Sequence, residues 1–277
     1  MDDPRETRER FLEAARDLVP YIVAERDGVL FVLPPGDPTL AKLFVKGEKH
    51  KERSVLLRAL ERLEAAGVPA GRTTFLDLGA NVGTAAFAAL QAGFESVIAC
   101  EPVPENVRLL RANLALNGAQ ERVRVVEVAV SDHEGTVAID AAQGSRKARV
   151  APAGEAGADA PLTRAARLDD LAAEGVFDPA EIGFVLMDVE GYEPHVLDGG
   201  GSVFGTGVPL VLELNPKLLG LGGRAGDLET LLARSYTHVL DLRERGAELV
   251  PVGEVTSLAE HYEGRSTDLL ACRLAKG

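Results

Sequence analysis

The order of apolar and polar positions sets the first quarter of the chain apart from the rest. Charged residues alternate with apolar ones over 4–18, which predicts an amphipathic helix. Apolar runs at 21–23 and 29–33 flank an Asp-Gly pair and predict a β-hairpin. Leucines on one face predict a second helix over 52–66. These elements predict an N-terminal appendage or cap over residues 1–70.

From residue 73 onward, short apolar runs alternate with helical segments, which predicts a core domain over residues 71–277. The predicted strands are 75–78, 97–100, 123–130, 184–187, 209–214, 238–242 and 269–273. This alternation is typical of an α/β fold with a mostly parallel sheet that helices cover on both faces. Residues 141–161 are rich in Ala, Gly and Asp without periodicity and predict a flexible insert.

The net charge of the chain limits the classes of molecule that such a domain is expected to bind. The formal net charge of −13 argues against a protein that binds the phosphate backbone of nucleic acid. One basic cluster is present, and we interpret it as a solvated loop and helix face. It comprises Lys46, Lys49, His50, Lys51 and Arg53.

The cysteines and the hydropathy of the chain indicate the cellular compartment in which the protein works. Cys100 and Cys272 each lie in an apolar run and form neither a disulfide framework nor a metal-binding spacing. The N-terminus has no apolar signal segment, and no apolar stretch approaches the length of a membrane span. We therefore expect a cytoplasmic protein that does not contact a membrane.

A glycine-rich turn, Asp77–Gly83, joins the first predicted strand of the core domain to its helix. Such a turn lets backbone N–H groups approach a ligand and points a helix N-terminus at negative charge. A dinucleotide fingerprint needs glycine at the third and sixth positions, where this chain has Asn81 and Thr84, so NAD is disfavoured. S-adenosylmethionine suits the turn better. The carboxylate of Asp77 can pair with the cationic groups of S-adenosylmethionine, and the N–H groups at the helix start can bind its carboxylate. Asn81 tolerates the left-handed backbone of such a turn.

A second acidic residue supports a nucleoside ligand. Glu101 ends the second predicted strand of the core domain, 24 residues after Asp77. A carboxylate at this position can accept hydrogen bonds from both ribose hydroxyls. Asp77, the turn and Glu101 together therefore predict a nucleoside-containing cofactor.

Several motifs occur in an order that resembles the FkbM-type methyltransferases. The resemblance spans roughly residues 73–216. It rests on the turn 77–83, Glu101-Pro102 with Asn106 and Asn113, and the segments 129–132, 168–171, 188–193 and 211–214. One departure is Leu186, where the family usually has a lysine two residues before the aspartate of the fourth-strand motif. Any orienting role of that lysine is therefore missing at this position, which leaves the substrate or mechanism of this member in question.

The resemblance implies a class I, Rossmann-like methyltransferase with a seven-stranded sheet and S-adenosylmethionine as cofactor. It also implies O-methylation of a small-molecule hydroxyl, on a sugar, a polyketide or another secondary metabolite. By carry-over, the cofactor-binding residues are Asp77, Gly79, Asn81 and Gly83 for the methionine part, Glu101 with Pro102 for the ribose, and Ser131 or Asp132 for the adenine.

Carboxylates follow the fourth and fifth strands of the core domain, at the sheet edge where ligands bind in such folds. Their mutual repulsion raises the pKa of at least one of them, which suits a general base for a hydroxyl. The catalytic candidates are Asp188 first, then Glu190 and Glu213, with Glu193 in the same cluster and His195 a weaker candidate. Oxygen ligands of this kind are compatible with a divalent cation, but no metal site is predicted.

Two other functions remain open at this point. An NAD-linked oxidoreductase would use the same sheet and the same second-strand acid, although the glycine pattern disfavours it. A non-catalytic protein that binds S-adenosylmethionine would keep the methyltransferase fold without turnover. A protein acceptor and the oligomeric state are likewise left open by the sequence.

Overall fold

The computed structural model describes residues 3–37, 51–71, 73–140, 148–151, 160–244, 246–262 and 265–274. The helices are α1 (Pro4–Arg16), α2 (Lys51–Ala65), α3 (Thr84–Gln91), α4 (Pro104–Leu116), α5 (Leu168–Ala173), α6 (Glu193–Asp198), α7 (Gly201–Phe204), α8 (Pro216–Gly222), α9 (Leu228–Ala233) and α10 (Val255–His261). The strands are β1 (Ile22–Arg26), β2 (Val29–Leu33), β3 (Thr74–Leu78), β4 (Ser96–Cys100), β5 (Val123–Val126), β6 (Ala129–Val130), β7 (Gly135–Asp140), β8 (Arg149–Val150), β9 (Leu162–Ala166), β10 (Ile182–Met187), β11 (Leu210–Leu214), β12 (His238–Asp241), β13 (Val250–Pro251) and β14 (Thr267–Cys272).

The main sheet has the strand order β13-β12-β14-β11-β10-β3-β4-β5. Strands β5, β4, β3, β10 and β11 are parallel, whereas β14 runs antiparallel to both of its neighbours. The α/β fold with a mostly parallel sheet is confirmed. The sheet has one strand more than the predicted seven, because the two-residue β13 pairs with the edge of β12.

The predicted strand 123–130 is wrong in its second half. Only β5 belongs to the main sheet, while β6 joins a second sheet of order β6-β9-β7-β8. The chain changes partner around Glu127: the Val128 N–H donates to Glu101 O (3.2 Å), and the Ser131 N–H donates to Ala166 O (2.9 Å). A run of apolar residues does not reveal such an exchange of hydrogen-bond partners.

The second sheet flanks the predicted insert 141–161. Strands β7 and β9, which the sequence pattern did not predict, pair antiparallel on either side of it, and β8 pairs with the outer edge of β7. Most of the insert, 141–147 and 152–159, lies outside the described residues, so its flexibility stays a prediction.

The apolar core lies on both faces of the main sheet, because the central strands are buried on both sides. On one face Phe75, Phe94 and Phe184 pack with ring centroids 5.2–6.2 Å apart. The hairpin β1–β2 and helix α2 bury their apolar residues in this same cluster. Helices α5, α6, α7 and α9 cover the other face.

Asparagine side chains of α4 and its C-terminal end hold the hairpin at the sheet. The Leu30 N–H donates to Asn117 Oδ1 (2.9 Å), and the Val32 N–H donates to Asn113 Oδ1 (2.7 Å). Asn113 Nδ2 in turn donates to Val82 O (2.9 Å) in the glycine-rich turn. The N-terminal elements therefore contact the rest of the fold directly, and a domain boundary at residue 70 stays a prediction.

No helix in the described part of the chain combines the length and hydropathy that a membrane span requires.

The backbones of β3 and β10 come closest at the end of β3. Gly79 has φ +90°, and a Cβ there would lie 2.0 Å from the carbonyl oxygen of Asp188. The Gly79 N–H donates to Cys100 O (3.0 Å), which ties the same residue to β4. Two effects therefore disfavour a side chain at position 79: the positive φ and the carbonyl oxygen of Asp188.

Gly93 provides a matched control, since its φ is +95° and a Cβ at that site would have no other atom within 4 Å. We expect Gly93→Ala to lower the free energy of unfolding by about 1 kcal/mol, through backbone strain alone. Gly79→Ala should lower it by about 3 kcal/mol or more, because β3 and β10 must also separate. Urea unfolding followed by circular dichroism measures both, and equal losses would contradict the close approach.

Candidate active site

The glycine-rich turn leads from β3 into α3 through three residues with positive φ, the first of which is Gly79. Asn81 has φ +50°, as its residue type predicts, and Gly83 has φ +96°. The Gly83 N–H donates to Ala80 O (2.8 Å), which closes the turn. Gly83 is the N-cap of α3 and provides no side-chain cap, so the helix start can present its N–H groups to an anionic ligand.

Asp77 lies beneath this turn and is fully buried. Neither of its carboxylate oxygens makes a hydrogen bond of normal geometry to the described residues. Burial, followed by the negative charges of Glu101, Glu52 and Asp188, raises the pKa of Asp77 well above its ordinary value. The backbone N–H of Ala86 in α3 opposes this rise only in part. A cationic ligand would relieve the remaining penalty of burying this carboxyl group.

Glu101 is buried at the end of β4 and organises the turn. Its Oε2 accepts a hydrogen bond from the Asn81 N–H (2.8 Å), and its Oε1 accepts from the Val103 N–H (2.9 Å) and Asn106 Nδ2 (3.1 Å). Burial outweighs these bonds and raises the pKa of Glu101 to about 6. A carboxylate accepts roughly four hydrogen bonds, so one position remains for a ribose hydroxyl. Pro102, half-buried, follows directly.

Ser131 and Asp132 follow β6 and meet the loop after β10. Ser131 Oγ lies 3.0 Å from His133 Nδ1 and 3.4 Å from the Tyr192 hydroxyl. Asp132 contacts His133 (2.7 Å), and its second oxygen accepts from Arg224 (3.0 Å). The two predicted adenine residues are therefore brought together with a tyrosine, which can stack on or bond to a base.

His195 belongs to this group. Its ring stacks on Tyr192 with centroids 3.8 Å apart, and its Nδ1 is buried without a hydrogen-bond partner among the described residues. Burial lowers the pKa of His195, while the charge of Asp132 partly opposes this effect. The charges that act on it come from this group, so a role for His195 as the base gains no support.

A second cluster lies at the carboxyl ends of β10 and β11, and we call it the acidic cleft. Its polar lining consists of Lys51, Glu52, Asp188, Glu213 and Asp268, with Leu186 among its apolar residues. Within the part of the chain that the structure describes, no group of three or more His, Cys, Asp or Glu residues is arranged to hold a metal ion.

Ion pairs cross the acidic cleft. Lys51 Nζ lies 3.2 Å from Asp268 Oδ1 and 3.6 Å from Glu213 Oε1. Burial and the charge of Asp188 raise the pKa of Glu213 to about 7, and Lys51 opposes this shift. Asp188 and Glu213, both predicted catalytic residues, therefore lie in one cleft, and at least one of its carboxyl groups titrates near neutral pH.

Three polar residues of the acidic cleft were not predicted as site residues: Lys51, Glu52 and Asp268. Asp268 stands opposite Glu213 because β14 is antiparallel, which brings the start of that strand to the carboxyl edge. Lys51 is exposed, as expected of a solvated helix face (53% for its side chain), but it is also paired with two carboxylates. Lys46, Lys49 and His50 of the same basic cluster lie outside the described residues. An acidic residue at the start of the last strand was a usable signal for Asp268, whereas no local pattern marks Lys51.

Glu190 lies in the loop after β10 with a left-handed backbone, φ +53°. The next residue, Gly191, has φ +96°, and a Cβ there would lie 2.3 Å from Leu218 O. The loop is thus tightly packed against α8, and Glu190 itself is half-buried. A catalytic role for Glu190 stays a prediction.

Comparison with known proteins identifies the family. The family described as "Methyltransferase FkbM domain" matches residues 77–247. The chain belongs to the FkbM methyltransferase family. The cofactor of this FkbM methyltransferase is S-adenosylmethionine. That the glycine-rich turn and Glu101 bind this cofactor stays a prediction.

Solved structures with a similar fold include methyltransferases of low sequence identity. Precorrin-6y C5,15-methyltransferase from Geobacter metallireducens is 14% identical, with 81% of this chain and 89% of that chain covered and a TM-score of 0.42. The 16S rRNA N2 G1207 methyltransferase from T. thermophilus, in complex with AdoMet and guanosine, is 15% identical, with 91% and 50% covered and a TM-score of 0.45. The tRNA (uracil-54, C5)-methyltransferase from Pyrococcus abyssi is 15% identical, with 91% and 44% covered and a TM-score of 0.43.

This chain thus spans half or less of the length of the two RNA methyltransferases. A comparison of this chain with curated protein sequences finds no significant match.

Glu193 is a further buried acidic residue near the carboxyl edge of β10 and β11, at the start of α6. It is buried, its Oε1 accepts from the Gly191 N–H (3.3 Å), and its Oε2 has no partner among the described residues. Burial, together with the charges of Asp188 and Glu213, raises the pKa of Glu193 from 4.5 to about 8. The folded protein therefore holds this proton at neutral pH, whereas the unfolded chain releases it.

We expect Glu193→Gln to be more stable than the wild type by an amount that grows as the pH rises from about 4.5 to about 8. Below this window both states carry the proton; above it the difference is complete, on the order of 4 kcal/mol. Urea unfolding at a series of pH values measures the difference. The exposed Glu181→Gln is the control, and a Glu193→Gln difference that does not change with pH would contradict the assignment.

Proposed function

We propose that this FkbM methyltransferase transfers the methyl group of S-adenosylmethionine to a hydroxyl group of a small molecule, with Asp188 in contact with the reacting groups. One observation carries the proposal. The unpartnered carboxyl group of Asp77, the uncapped start of α3 and the acidic cleft all lie along the carboxyl edge of β3, β10 and β11. Cationic cofactor and hydroxyl acceptor would thus meet at one edge.

The residues present fit the cofactor by chemistry. Asp77 suits the ammonium or sulfonium group, and the N–H groups at the start of α3 suit the methionine carboxylate. Glu101 offers an acceptor position for the ribose, and the group around Ser131 and Asp132 offers polar atoms for the adenine. When bound, the cofactor supplies a methyl group on a positively charged sulfur.

Bound cofactor would supply the methyl group, with the C–O bond forming as the C–S bond breaks and the electrons of the C–S bond staying on sulfur. The chain would orient the acceptor hydroxyl and take up its proton. Asp188 is the first candidate for this proton, since its backbone packs on Gly79 of the glycine-rich turn and its side chain lines the acidic cleft. Glu213 shares the cleft and can receive the proton in turn.

Charge favours a small, non-phosphorylated acceptor. The acidic cleft carries four carboxyl groups and one ammonium group, and the chain has a net charge of −13. Phosphate-rich acceptors such as RNA are repelled by such a surface. Some proteins of similar fold are named for RNA substrates, and RNA is therefore included as an acceptor in the experiments below.

The cofactor assignment is tested by calorimetric titration with S-adenosylhomocysteine and with NAD. The wild type should bind the former and not the latter. Glu101→Gln should weaken binding of S-adenosylhomocysteine about tenfold, because a charged acceptor and a contact to the Asn81 N–H are lost. The exposed Glu121→Gln is the control. Undiminished affinity in Glu101→Gln would refute its role at the ribose.

The catalytic assignment is tested with methyl-labelled S-adenosylmethionine and a fractionated metabolite extract. Asp188→Asn should lower the labelling rate at least 100-fold, since the amide accepts no proton. It should leave the affinity for S-adenosylhomocysteine within about twofold, and the exposed Asp17→Asn should match the wild type.

Full activity of Asp188→Asn would remove Asp188 from the mechanism. Label found only in added RNA would overturn the small-molecule acceptor. A wild type that binds the cofactor but labels neither material would support the non-catalytic alternative.

A further inference from the structure

Lys51 connects the N-terminal part of the chain to the acidic cleft. It lies in the first turn of α2, and its ammonium group bridges Asp268 (3.2 Å) and Glu213 (3.6 Å), which belong to β14 and β11. The two carboxylates stand directly opposite one another in the antiparallel pair. Like charges in such a position repel one another unless a cation lies between them.

The surroundings of this ion pair are strongly acidic. The carboxyl groups whose charges act on Lys51, on Glu213 or on Asp268 come from α2, from the residue directly after β10, from β11 and from β14. They are Glu52, Asp188, Glu213 and Asp268. Among the described residues that line the acidic cleft, Lys51 is the one cation.

The charge of Lys51 acts on the groups proposed to take the proton. It lowers the pKa of Glu213 and that of Asp268, and so opposes the effects of burial and of Asp188. Because the pKa of Glu213 is about 7, a change in this opposition alters its ionised fraction at neutral pH. Loss of Lys51 would leave the cleft with more bound protons and fewer ionised carboxylates.

A second position in the cleft can host a cation. Leu186 lies on β10, lines the same cleft as Asp188 and is buried. A lysine at position 186 would therefore approach the carboxylates from the sheet, whereas Lys51 approaches them from α2.

We propose that Lys51 is a positioning residue for methyl transfer, which bridges Glu213 and Asp268 and keeps ionised carboxylates beside Asp188. Helix α2 thereby completes the acceptor side of the active site. The proposal rests on the proposed function, since it assigns Lys51 a role in the same cleft. Lys51 itself need not touch the acceptor.

The test compares Lys51→Met with Arg53→Met, which removes a cation from the same helix outside the cleft. With the acceptor found in the labelling experiment, we expect Lys51→Met to be roughly fivefold slower at pH 7 and within twofold of the wild type at pH 9. The control should keep the wild-type pH profile. Lys51→Arg and the double variant Lys51→Met/Leu186→Lys should both restore the rate at pH 7.

A second measurement needs no acceptor. Nuclear magnetic resonance of carbon-13 carboxyl-labelled glutamate, with Glu213 assigned from Glu213→Gln, follows its titration directly. In Lys51→Met this titration should move to higher pH, and in the double variant it should move back. The affinity for S-adenosylhomocysteine should stay within twofold throughout.

The outcomes separate this proposal from the proposed function. An unchanged titration of Glu213 in Lys51→Met overturns the role of Lys51, whatever the enzyme methylates. A shifted titration in a protein that methylates nothing supports the electrostatic role and rejects the proposed function. If Lys51→Met does not fold, Lys51→Gln replaces it, and an unshifted pH profile in a folded Lys51→Gln likewise overturns the proposal.

Discussion

The close contact between the ends of β3 and β10 is the constraint on which both halves of the site depend. The Asp188 N–H donates to Leu78 O (2.9 Å), and the Asp188 carbonyl occupies the space that a side chain at position 79 would need. One residue therefore has its backbone against the glycine-rich turn and its side chain in the acidic cleft. Under the proposed function, this geometry would bring cofactor and acceptor together without any further element between them, as a direct methyl transfer requires.

The same contact concentrates negative charge where water is largely excluded. Asp77, Glu101, Glu193 and Glu213 all have raised pKa values, and burial is the first cause in each case. In the absence of ligand this arrangement destabilises the fold, because the charged forms are poorly solvated. Under the proposed function, a sulfonium cofactor would add positive charge near these groups, and its binding would relieve their mutual repulsion.

The parts of the candidate site that depend on residue type and on the geometry of parallel strands could be predicted from the sequence. The left-handed Asn81, the acid at the end of β4 and the gathering of Asp188 and Glu213 at one edge follow from residue type and the geometry of parallel strands. The split of strand 123–130 did not follow, because apolar alternation does not show which strand receives the hydrogen bonds. Lys51 was missed for a related reason, since its partners are more than 150 residues away in the sequence.

The N-terminal elements meet the active site at two separate points. Asn113 joins the β2 backbone to Val82 in the glycine-rich turn, and Lys51 joins α2 to the carboxylates of β11 and β14. The first contact acts on the cofactor side through neutral hydrogen bonds, which are short-ranged and independent of pH. The second contact acts on the acidic cleft through the charge of Lys51. The effect of this charge reaches several residues and depends on pH. Changes in α2 would therefore alter the electrostatics of the acidic cleft while the glycine-rich turn keeps its geometry. Under the proposed function, the choice of acceptor would then depend partly on a segment outside the matched family region, residues 77–247.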